Sequence, residues 1–218
     1  MKKAKLSTEL ITWAIALIPL VYLWIMWEQL PERVPVHFNL QGEANGWASK
    51  PWLVGITLFT TVGINLIMLL IPAIDPKRRI EGMGDKYVNL RLILVLFMSA
   101  LSLFIVHSAA SENGLNHNIM LVLIGTLFAA LGNYFQAVKP NYFIGIRTPW
   151  TLESENVWRK THRVGGRLWL IGGILMALLP LISDNALRET IFLSIVAVIV
   201  VIPVLYSFLE FKREQVAR

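Results

Sequence analysis

The chain has 218 residues, of which 56% are hydrophobic and only 16% charged, whereas soluble domains carry about 45–50% apolar and about 25% charged residues. This composition excludes a disordered chain and argues against an ordinary soluble enzyme, and the lack of cysteine excludes a disulfide framework, a thiolate zinc site and a cysteine nucleophile. The net charge of +6 fits either nucleic acid or an anionic membrane surface, so the distribution of the charges has to decide between them.

Six stretches of the sequence have the length and apolar character of a bilayer-crossing helix, which needs about 20 mostly apolar residues. We expect helices because lipid offers the backbone no hydrogen-bonding partners. In chain order the predicted spans are Thr8–Trp27, Trp52–Pro72, Val88–Ala109, Ile119–Val138, Gly165–Ile182 and Ile191–Leu209. No small-residue cleavage site follows the first span, so it is interpreted as a retained helix and not as a signal peptide.

The predicted fold class is an all-α integral membrane protein with a single membrane domain over residues 1–218. It is a bundle of six transmembrane helices, with an ordered outer loop, an interfacial inner helix, two spans in residues 1–73 and four in 74–218. Pro19, Pro180 and Pro203 inside spans are expected to kink them. The small-residue pairs Gly125-x-x-x-Ala129 and Gly173-x-x-x-Ala177 predict close helix packing.

Lysine and arginine lie almost entirely on one side of these spans. With the N-terminus in the cytoplasm, seventeen basic residues are inside and three, Arg33, Lys50 and Arg188, are outside. Membrane proteins follow this bias, with the basic loops cytoplasmic. The sequence therefore predicts a multi-pass protein with both termini cytoplasmic, whose partner is the lipid bilayer. The basic pI is explained by topology, so no direct nucleic-acid partner is expected.

The outer loop, residues 29–51, is predicted to be an ordered cap. Hydrophobic and polar residues alternate over residues 34–41, which is the period of a β-strand. Gly42 and the pair Asn45-Gly46 tolerate positive φ and are expected to turn the chain. The cap is interpreted either as purely structural or as a recognition surface. Its recognition candidates are Pro35, His37, Asn39, Gly42, Trp47 and Lys50.

The inner loop, residues 139–164, is predicted to be structured as well. Pro140 and Pro149 flank an extended stretch, and Thr151 is expected to N-cap a helix that begins at about Leu152. One stripe of this helix is expected to carry Leu152, Glu155, Arg159 and His162. Two interpretations stay open: an amphipathic helix on anionic headgroups, or a docking surface for a cytosolic partner or ligand. The candidates are Asn141, Gly145, Arg147, Thr148, Pro149, Trp150, Thr151, Trp158 and His162.

Two other classes of function remain as alternatives. A small-solute or peptide transporter needs polar groups at mid-membrane depth, for which Asn65 and Asn133 are the candidates, although Asn133 is more simply explained by one interhelical hydrogen bond. An outward-facing metal-dependent enzyme would need His37, His107 and His117 to converge, with Glu43, on a zinc ion. Their spacing does not enforce a metal site, and no phosphate loop or nucleophile elbow is present.

The inner loop carries a specific sequence signature. Residues 145–152 read Gly-Ile-Arg-Thr-Pro-Trp-Thr-Leu, and Val157-Trp158 and Thr161-His162 follow. This segment resembles the SdpI family of bacterial membrane proteins. The outer loop, with Leu30-Pro31, Pro35-x-His37-Phe38-Asn39, Gly42, Trp47 and Ser49-Lys50-Pro51, resembles a small domain of unknown function often found at the front of such proteins.

The resemblance implies a membrane immunity protein that confers resistance to a secreted peptide toxin. It also implies signalling, in which toxin-engaged protein recruits a cytosolic autorepressor to the bacterial cell membrane. No catalytic residue, metal or cofactor is implied, so we expect a non-enzymatic protein. The expected partners are therefore the lipid bilayer, a toxic peptide outside and an autorepressor inside.

Overall fold

The computed structural model describes residues 6–38, 44–76, 78–111 and 116–216, and most of these are helical. Within them, six helical segments are long and apolar enough to cross a membrane: Leu6–Gln29, Lys50–Ile74, Asp85–Ala110, His117–Phe135, Glu155–Leu181 and Asn185–Val216. Each contains one of the predicted spans or most of it. The predicted all-α, multi-pass membrane fold is thereby confirmed.

The elements follow in chain order. The N-terminal half contains α1 (Leu6–Met26, ending in a 3-10 turn, Trp27–Gln29), β1 (Arg33–Phe38), β2 (Ala44–Ser49), α2 (Lys50–Leu58), a π-helical segment (Phe59–Gly63), α3 (Ile64–Ile74) and α4 (Asp85–Ala110). The C-terminal half contains α5 (His117–Phe135), α6 (Pro149–Glu153), α7 (Glu155–Leu178, ending in a 3-10 turn, Leu179–Leu181) and α8 (Asn185–Val216).

Two helices start well before the spans predicted from hydropathy. Helix α7 begins at Glu155, ten residues before the predicted start at Gly165, and α8 begins at Asn185, six residues before Ile191. Hydropathy detects only the part of a helix that fits the hydrocarbon core, whereas polar first turns are held by caps and tertiary contacts. The inner helix is therefore continuous with the fifth span and does not form a separate interfacial element.

The outer loop forms an antiparallel β-hairpin, and its first strand contains much of the extended stretch that the alternation predicted. Strand β1 pairs with β2 in a register that sets Pro35 opposite Trp47 and His37 opposite Gly46, with an irregularity between these two pairs. The expectation that Asn45-Gly46 forms the turn is wrong, because both residues lie inside β2. Gly46 is small for a different reason: a Cβ there would lie 2.8 Å from the Cβ of His37 across the ladder.

The helices group into two compact units. The first, which we call the hairpin unit, comprises Lys2–Leu70 and Val88–Met120 and so contains α1, the hairpin, α2 and most of α3 and α4. The second, the motif unit, comprises Ile71–Tyr87 and Leu121–Arg218 and contains most of α5 and all of α6, α7 and α8. That residues 1–218 form a single membrane domain therefore stays a prediction.

An apolar cluster lies at the hairpin end of the hairpin unit. It joins the end of α1, the hairpin, the start of α2 and the end of α4 through Leu23, Leu30, Val34, Leu53, Val106 and Ala109, all of them at most 6% exposed. Because α2 starts where α1 and α4 end, α2 runs antiparallel to both. The cluster fixes the hairpin on the three spans below it.

In the motif unit, α5 and α7 approach each other at the two small-residue pairs predicted from the sequence. A Cβ on Gly125 would lie 2.4 Å from the Ala177 nitrogen, and a Cβ on Gly173 would lie 2.2 Å from the Ala129 nitrogen. A third close approach extends the row, since a Cβ on Gly132 would lie 2.3 Å from the nitrogen of Leu170. Backbone contact of this kind is available only to small residues.

Candidate functional site

The inner loop begins with a turn that the side chain of Asn141 organises. The Asn141 carboxamide oxygen accepts hydrogen bonds from the backbone N–H groups of Phe143 and Ile144, both at 2.7 Å, and its nitrogen donates to the carbonyls of Lys139 and Ile144. The side chain is 3% exposed. Its four hydrogen bonds replace those that a helix or strand would provide, so the loop is ordered without regular secondary structure.

Gly145 and His162 form the centre of the inner motif. The N–H of Ile146 donates to Nε2 of His162 at 3.0 Å, and Nδ1 of His162 lies 2.9 Å from the carbonyl oxygen of Trp158. Since Nε2 accepts, the proton of the neutral ring is on Nδ1 and is donated to that carbonyl. Gly145 has φ of 112°, and a Cβ there would lie 2.4 Å from Nε2 of His162.

Trp158 fastens the same loop to the preceding helix. Its indole N–H donates to the carbonyl oxygen of Val138 at 2.9 Å, and its ring stacks on His162 with the centroids 4.1 Å apart. The ring of Phe135 meets His162 edge-on at 5.8 Å. Trp158 is completely buried and His162 is 1% exposed. The two residues are therefore structural clamps and offer no open surface to a partner.

The N-cap of the inner helix differs from the one predicted. Thr148, not Thr151, caps the short helix α6, and Thr151 is its third residue. The two threonines form a reciprocal capping box, with the Thr151 N–H donating to Thr148 Oγ1 and the Thr148 N–H donating to Thr151 Oγ1. Pro149 occupies the first helical position, where its missing N–H costs nothing. The Thr148 hydroxyl also bonds that of Ser207 in α8, at 3.0 Å.

A second cap starts α7 and was not predicted from the sequence. Ser154 accepts a hydrogen bond from the N–H of Val157 and donates one to Glu214 in α8. Ser is a preferred N-cap residue, so its residue type was the signal in the sequence that a helix could begin after it. The extended backbone of Ser154 separates α7 from α6. Its partner Glu214 in α8 could not be inferred from local sequence.

The buried face of α7 also differs from the predicted stripe. Val157, Trp158, Thr161 and His162 are buried, whereas Glu155 and Arg159 are exposed. His162 therefore belongs with the tryptophan and not with the charged residues. Glu155, Arg159 and His162 all lie in α7, where the helical repeat places His162 between the exposed Glu155 and the buried Trp158. The predicted stripe therefore crossed the boundary between the exposed and the buried face.

The basic residues of the motif unit divide into two groups. Arg79 pairs with Glu155 at 2.6 Å, and Lys160 pairs with Glu210 in α8. In contrast, Arg159, Arg163 and Arg167 are exposed at successive four-residue intervals on α7, and the described part of the chain provides no ion pair for them. We call these three residues the arginine stripe. Like charges at this spacing disfavour a helix slightly, so an anionic partner would stabilise it.

The remaining inner candidates lie at the edge of this motif. Arg147 is exposed and its guanidinium donates to the carbonyl oxygen of Tyr142. Pro149 is exposed too, and the Trp150 ring packs against Phe208 of α8 at a centroid distance of 5.0 Å. All the predicted inner residues therefore lie in the inner loop or in α6 and α7, and among them Arg147 and Pro149 are exposed.

The outer candidates divide between the hairpin surface and its base. His37 is exposed and its ring N–H donates to the Asn45 carboxamide oxygen, while Trp47 is 53% exposed. Pro35 is buried opposite Trp47. Lys50 is only 7% exposed, with its ammonium group 4.5 Å from the centroid of Trp27. Asn39 and Gly42 lie outside the described residues.

The residues of the two alternative classes are found in different settings. Asn65 is completely buried, whereas Asn133, expected to bond a neighbouring helix, is exposed on α5. His107 shares a hydrogen bond with the Tyr22 hydroxyl at 2.9 Å, and His117 starts α5. Glu43 lies outside the described residues, and among those described no group of three or more His, Asp or Glu side chains could hold a metal ion.

Comparison with known proteins agrees with both sequence signatures. Residues 137–207 match the SdpI/YfhL protein family, and residues 14–61 match a domain of unknown function, DUF1648. Over 198 residues the chain is 25% identical to the Immunity protein SdpI of Bacillus subtilis (strain 168), covering 87% of this chain and 88% of that protein. No solved structure matches.

The class defined by fold and motif is a multi-pass membrane protein with a β-hairpin after its first span and a clamped loop between its fourth and fifth spans. The family matches confirm the resemblance to the SdpI family. The SdpI segment covers the inner loop, α7 and most of α8, and the N-terminal match covers most of α1, the hairpin and the start of the second span.

Proposed function

We propose that this protein is a membrane immunity protein that protects a bacterium from a secreted peptide toxin. The observation that carries the proposal is the similarity, over 87% of the chain, to a protein named as the immunity protein SdpI. The match extends over both the hairpin and the motif unit, so it is not confined to a generic pair of membrane spans. A non-enzymatic mode of action follows from this role.

The proposed orientation places both termini and the inner motif in the cytoplasm. Within the motif unit, the segment after α3, the inner loop and the end of α8 meet through Arg79–Glu155, Lys139 with the Gly82 carbonyl, and Lys160–Glu210. Most basic residues of this unit therefore gather at one end, which supports a cytoplasmic location for that end. The hairpin then faces the outside, where a secreted peptide arrives.

In this proposal the hairpin recognises the toxin, and the exposed ring of Trp47 is its principal contact. Aromatic residues dominate recognition of peptides because they bury a large area at a small entropic cost. Binding affects the cytoplasmic side only if the toxin has different affinities for two arrangements of the protein. The arginine stripe is then the docking surface for an acidic patch on a cytosolic autorepressor.

The test is expression in a toxin-sensitive bacterial host that is exposed to a panel of secreted peptide toxins. The intact protein should raise survival against at least one toxin, and Trp47→Ala should abolish this protection. Trp24→Ala is the matched control, because Trp24 is 78% exposed and belongs to α1, outside the two strands of the hairpin. If the intact protein protects against no toxin of the panel, the immunity proposal fails.

Signalling is tested in the same host with a fluorescent fusion to the proposed cytosolic autorepressor. Arg159→Gln with Arg163→Gln should leave the fusion in the cytoplasm while protection is retained. Lys86→Gln with Lys212→Gln removes two exposed charges from the same unit and should not affect recruitment. Equal recruitment by all variants would contradict docking on the arginine stripe.

A further inference from the structure

The three spans of the hairpin unit carry several buried polar side chains. These residues lie within the membrane-spanning segments and are at most 4% exposed: Thr12 in α1, Thr57, Thr61 and Asn65 along the second span, and Ser99 and Ser102 in α4. Polar residues at this depth are costly in lipid, so they usually serve a function.

One side-chain contact places these residues at neighbouring depths. Ser102 and Thr60 hydroxyls are 3.0 Å apart, which fixes the level of α4 against the second span. Ser99 lies three residues before Ser102 in α4, which is about 4.5 Å along the helix axis. Asn65 lies five residues after Thr60 in the antiparallel second span, which is about 7.5 Å in the same direction, away from the hairpin. Asn65 and Ser99 are therefore within about one helical turn of each other in depth.

Asn65 and Ser99 carry polar atoms that the protein does not satisfy. Both the oxygen and the nitrogen of the Asn65 carboxamide, and the Ser99 hydroxyl, are buried without a hydrogen-bond partner among the described residues. An unsatisfied buried polar group costs about 1–3 kcal/mol. Buried polar groups that the protein leaves unpaired are characteristically satisfied by ordered water.

The backbone beside Asn65 supports the same conclusion. Residues Phe59–Gly63 form a π-helical turn directly before α3, and π-helical turns occur frequently at functional sites. Thr60 and Thr61 each donate their hydroxyl hydrogen to a backbone carbonyl in the preceding turn. Their hydroxyl oxygens therefore remain acceptors and add to a lining that is polar but neutral.

Both ends of this polar region are closed within the unit. At one end is the apolar cluster under the hairpin, and toward the other is the ion pair of Arg91 with Glu9, at 2.5 Å. Because these two charges neutralise each other, the region offers no uncompensated charge to bind an ion. It offers instead neutral hydrogen-bond donors and acceptors, which is the chemistry that suits water.

We propose that the first three spans enclose a hydrated site in which bound water donates to the oxygen of Asn65, accepts from its nitrogen and bridges to the Ser99 hydroxyl. The site satisfies the buried polar atoms and gives the interior of the hairpin unit a solvent pocket at membrane depth. It does not depend on the immunity role, because it rests on the side chains alone.

Single-cysteine variants test this site directly, since the chain has no native cysteine. Ser99→Cys and Val106→Cys, purified and placed in lipid nanodiscs, are treated with Ag⁺, which reacts with thiols that water reaches. Ser99 is 3% and Val106 0% exposed, so both are buried, but Val106 lies in the apolar cluster. Ser99→Cys should react at least tenfold faster, and equal rates would overturn the proposal.

A substitution at Asn65 provides the second measurement. If water is bound, Asn65→Leu displaces it, lowers the Tm by several degrees and slows the Ag⁺ reaction of Ser99→Cys. If the site is dry, the same change removes an unsatisfied amide and raises the Tm, which would overturn the proposal even if Ser99→Cys did not fold. Asn133→Leu, at an exposed position of α5, is the matched control for the change of residue type.

Discussion

At the scale of single residues, the inner motif depends on a histidine that a glycine allows to approach the backbone. His162 accepts the Ile146 N–H and donates to the Trp158 carbonyl, so one neutral ring connects the loop to the first turns of α7. Gly145 leaves the space for that ring. A side chain at position 145 would need both the left-handed backbone and the volume that Nε2 of His162 occupies.

We predict that Gly145→Ala destabilises the protein by about 2–5 kcal/mol, because positive φ costs an alanine about 1–2 kcal/mol and overpacking costs about 1–3 kcal/mol. Thermal unfolding of the protein in detergent measures this as a lower Tm. Gly55→Ala is the matched control: it lies in α2, and a Cβ there would meet nothing within 4 Å. It should be neutral or slightly stabilising. An equal loss in both variants would contradict the clamp.

The chemistry of some residues could be predicted from sequence, and that of others could not. Gly145 and His162 were recognised as candidates through the family signature, but their mutual contact needs the loop to fold back over α7. Thr151 was predicted as the N-cap, but Thr148 is an equally good cap by residue type. Only the reciprocal hydrogen bonds decide between the two. Ser207 and Glu214 lie more than 50 residues away, beyond the reach of local pattern.

At the scale of elements, the packing of α5 on α7 is set by a row of small residues. Gly125, Gly132 and Gly173 bring the two backbones into contact, and no apolar side chain separates them there. In lipid, such packing stabilises a helix pair because the hydrophobic effect contributes little between helices. The sequence showed two of these pairs by their four-residue spacing, whereas the contact of Gly132 with Leu170 appears only in the structure.

We predict a rank order for alanine at these glycines. Gly173→Ala and Gly132→Ala should each cost about 3 kcal/mol or more, because the added Cβ would meet backbone nitrogens at 2.2 and 2.3 Å. Gly172→Ala, at the adjacent position, meets only Ile199 and Ile195 side-chain atoms, at 2.8 and 3.0 Å, which can move. Its cost should be close to zero, since alanine favours a helix by about 1 kcal/mol. Equal losses of Tm at positions 172 and 173 would contradict the interface.

The element boundaries show what hydropathy can determine. All six spans were found, but α7 and α8 begin ten and six residues earlier than predicted, in segments that carry Arg159, Lys160 and Arg188. Charged residues there are stabilised by ion pairs such as Lys160 with Glu210. A hydropathy average treats such residues only as polar, so it places the start of the span after them. The first strand of the hairpin was predicted from its period of two, but the second strand was not, and in the register His37 lies opposite Gly46.

At the scale of the whole molecule, function depends on which segments face which compartment. Seventeen of the 20 basic residues fall in segments assigned to one side by strict alternation of six spans. Of the three on the other side, Lys50 is buried against Trp27, and Arg188 bonds the side chain of Asn185. The bias is therefore carried by the inner segments, and it supports one orientation of the chain.

Labelling in intact cells tests this orientation. The variants Trp47→Cys and Asp184→Cys should react with a membrane-impermeant maleimide, whereas Leu152→Cys and Lys212→Cys should react only after lysis. All four positions are exposed, but the first two lie outside the proposed bilayer and the last two lie inside. The cysteine-free parent, which is the native sequence, supplies the background signal. Labelling of position 152 in intact cells together with protection of position 47 would invert the topology. The toxin-facing hairpin and the repressor-facing arginine stripe would then exchange compartments, and neither could act as proposed.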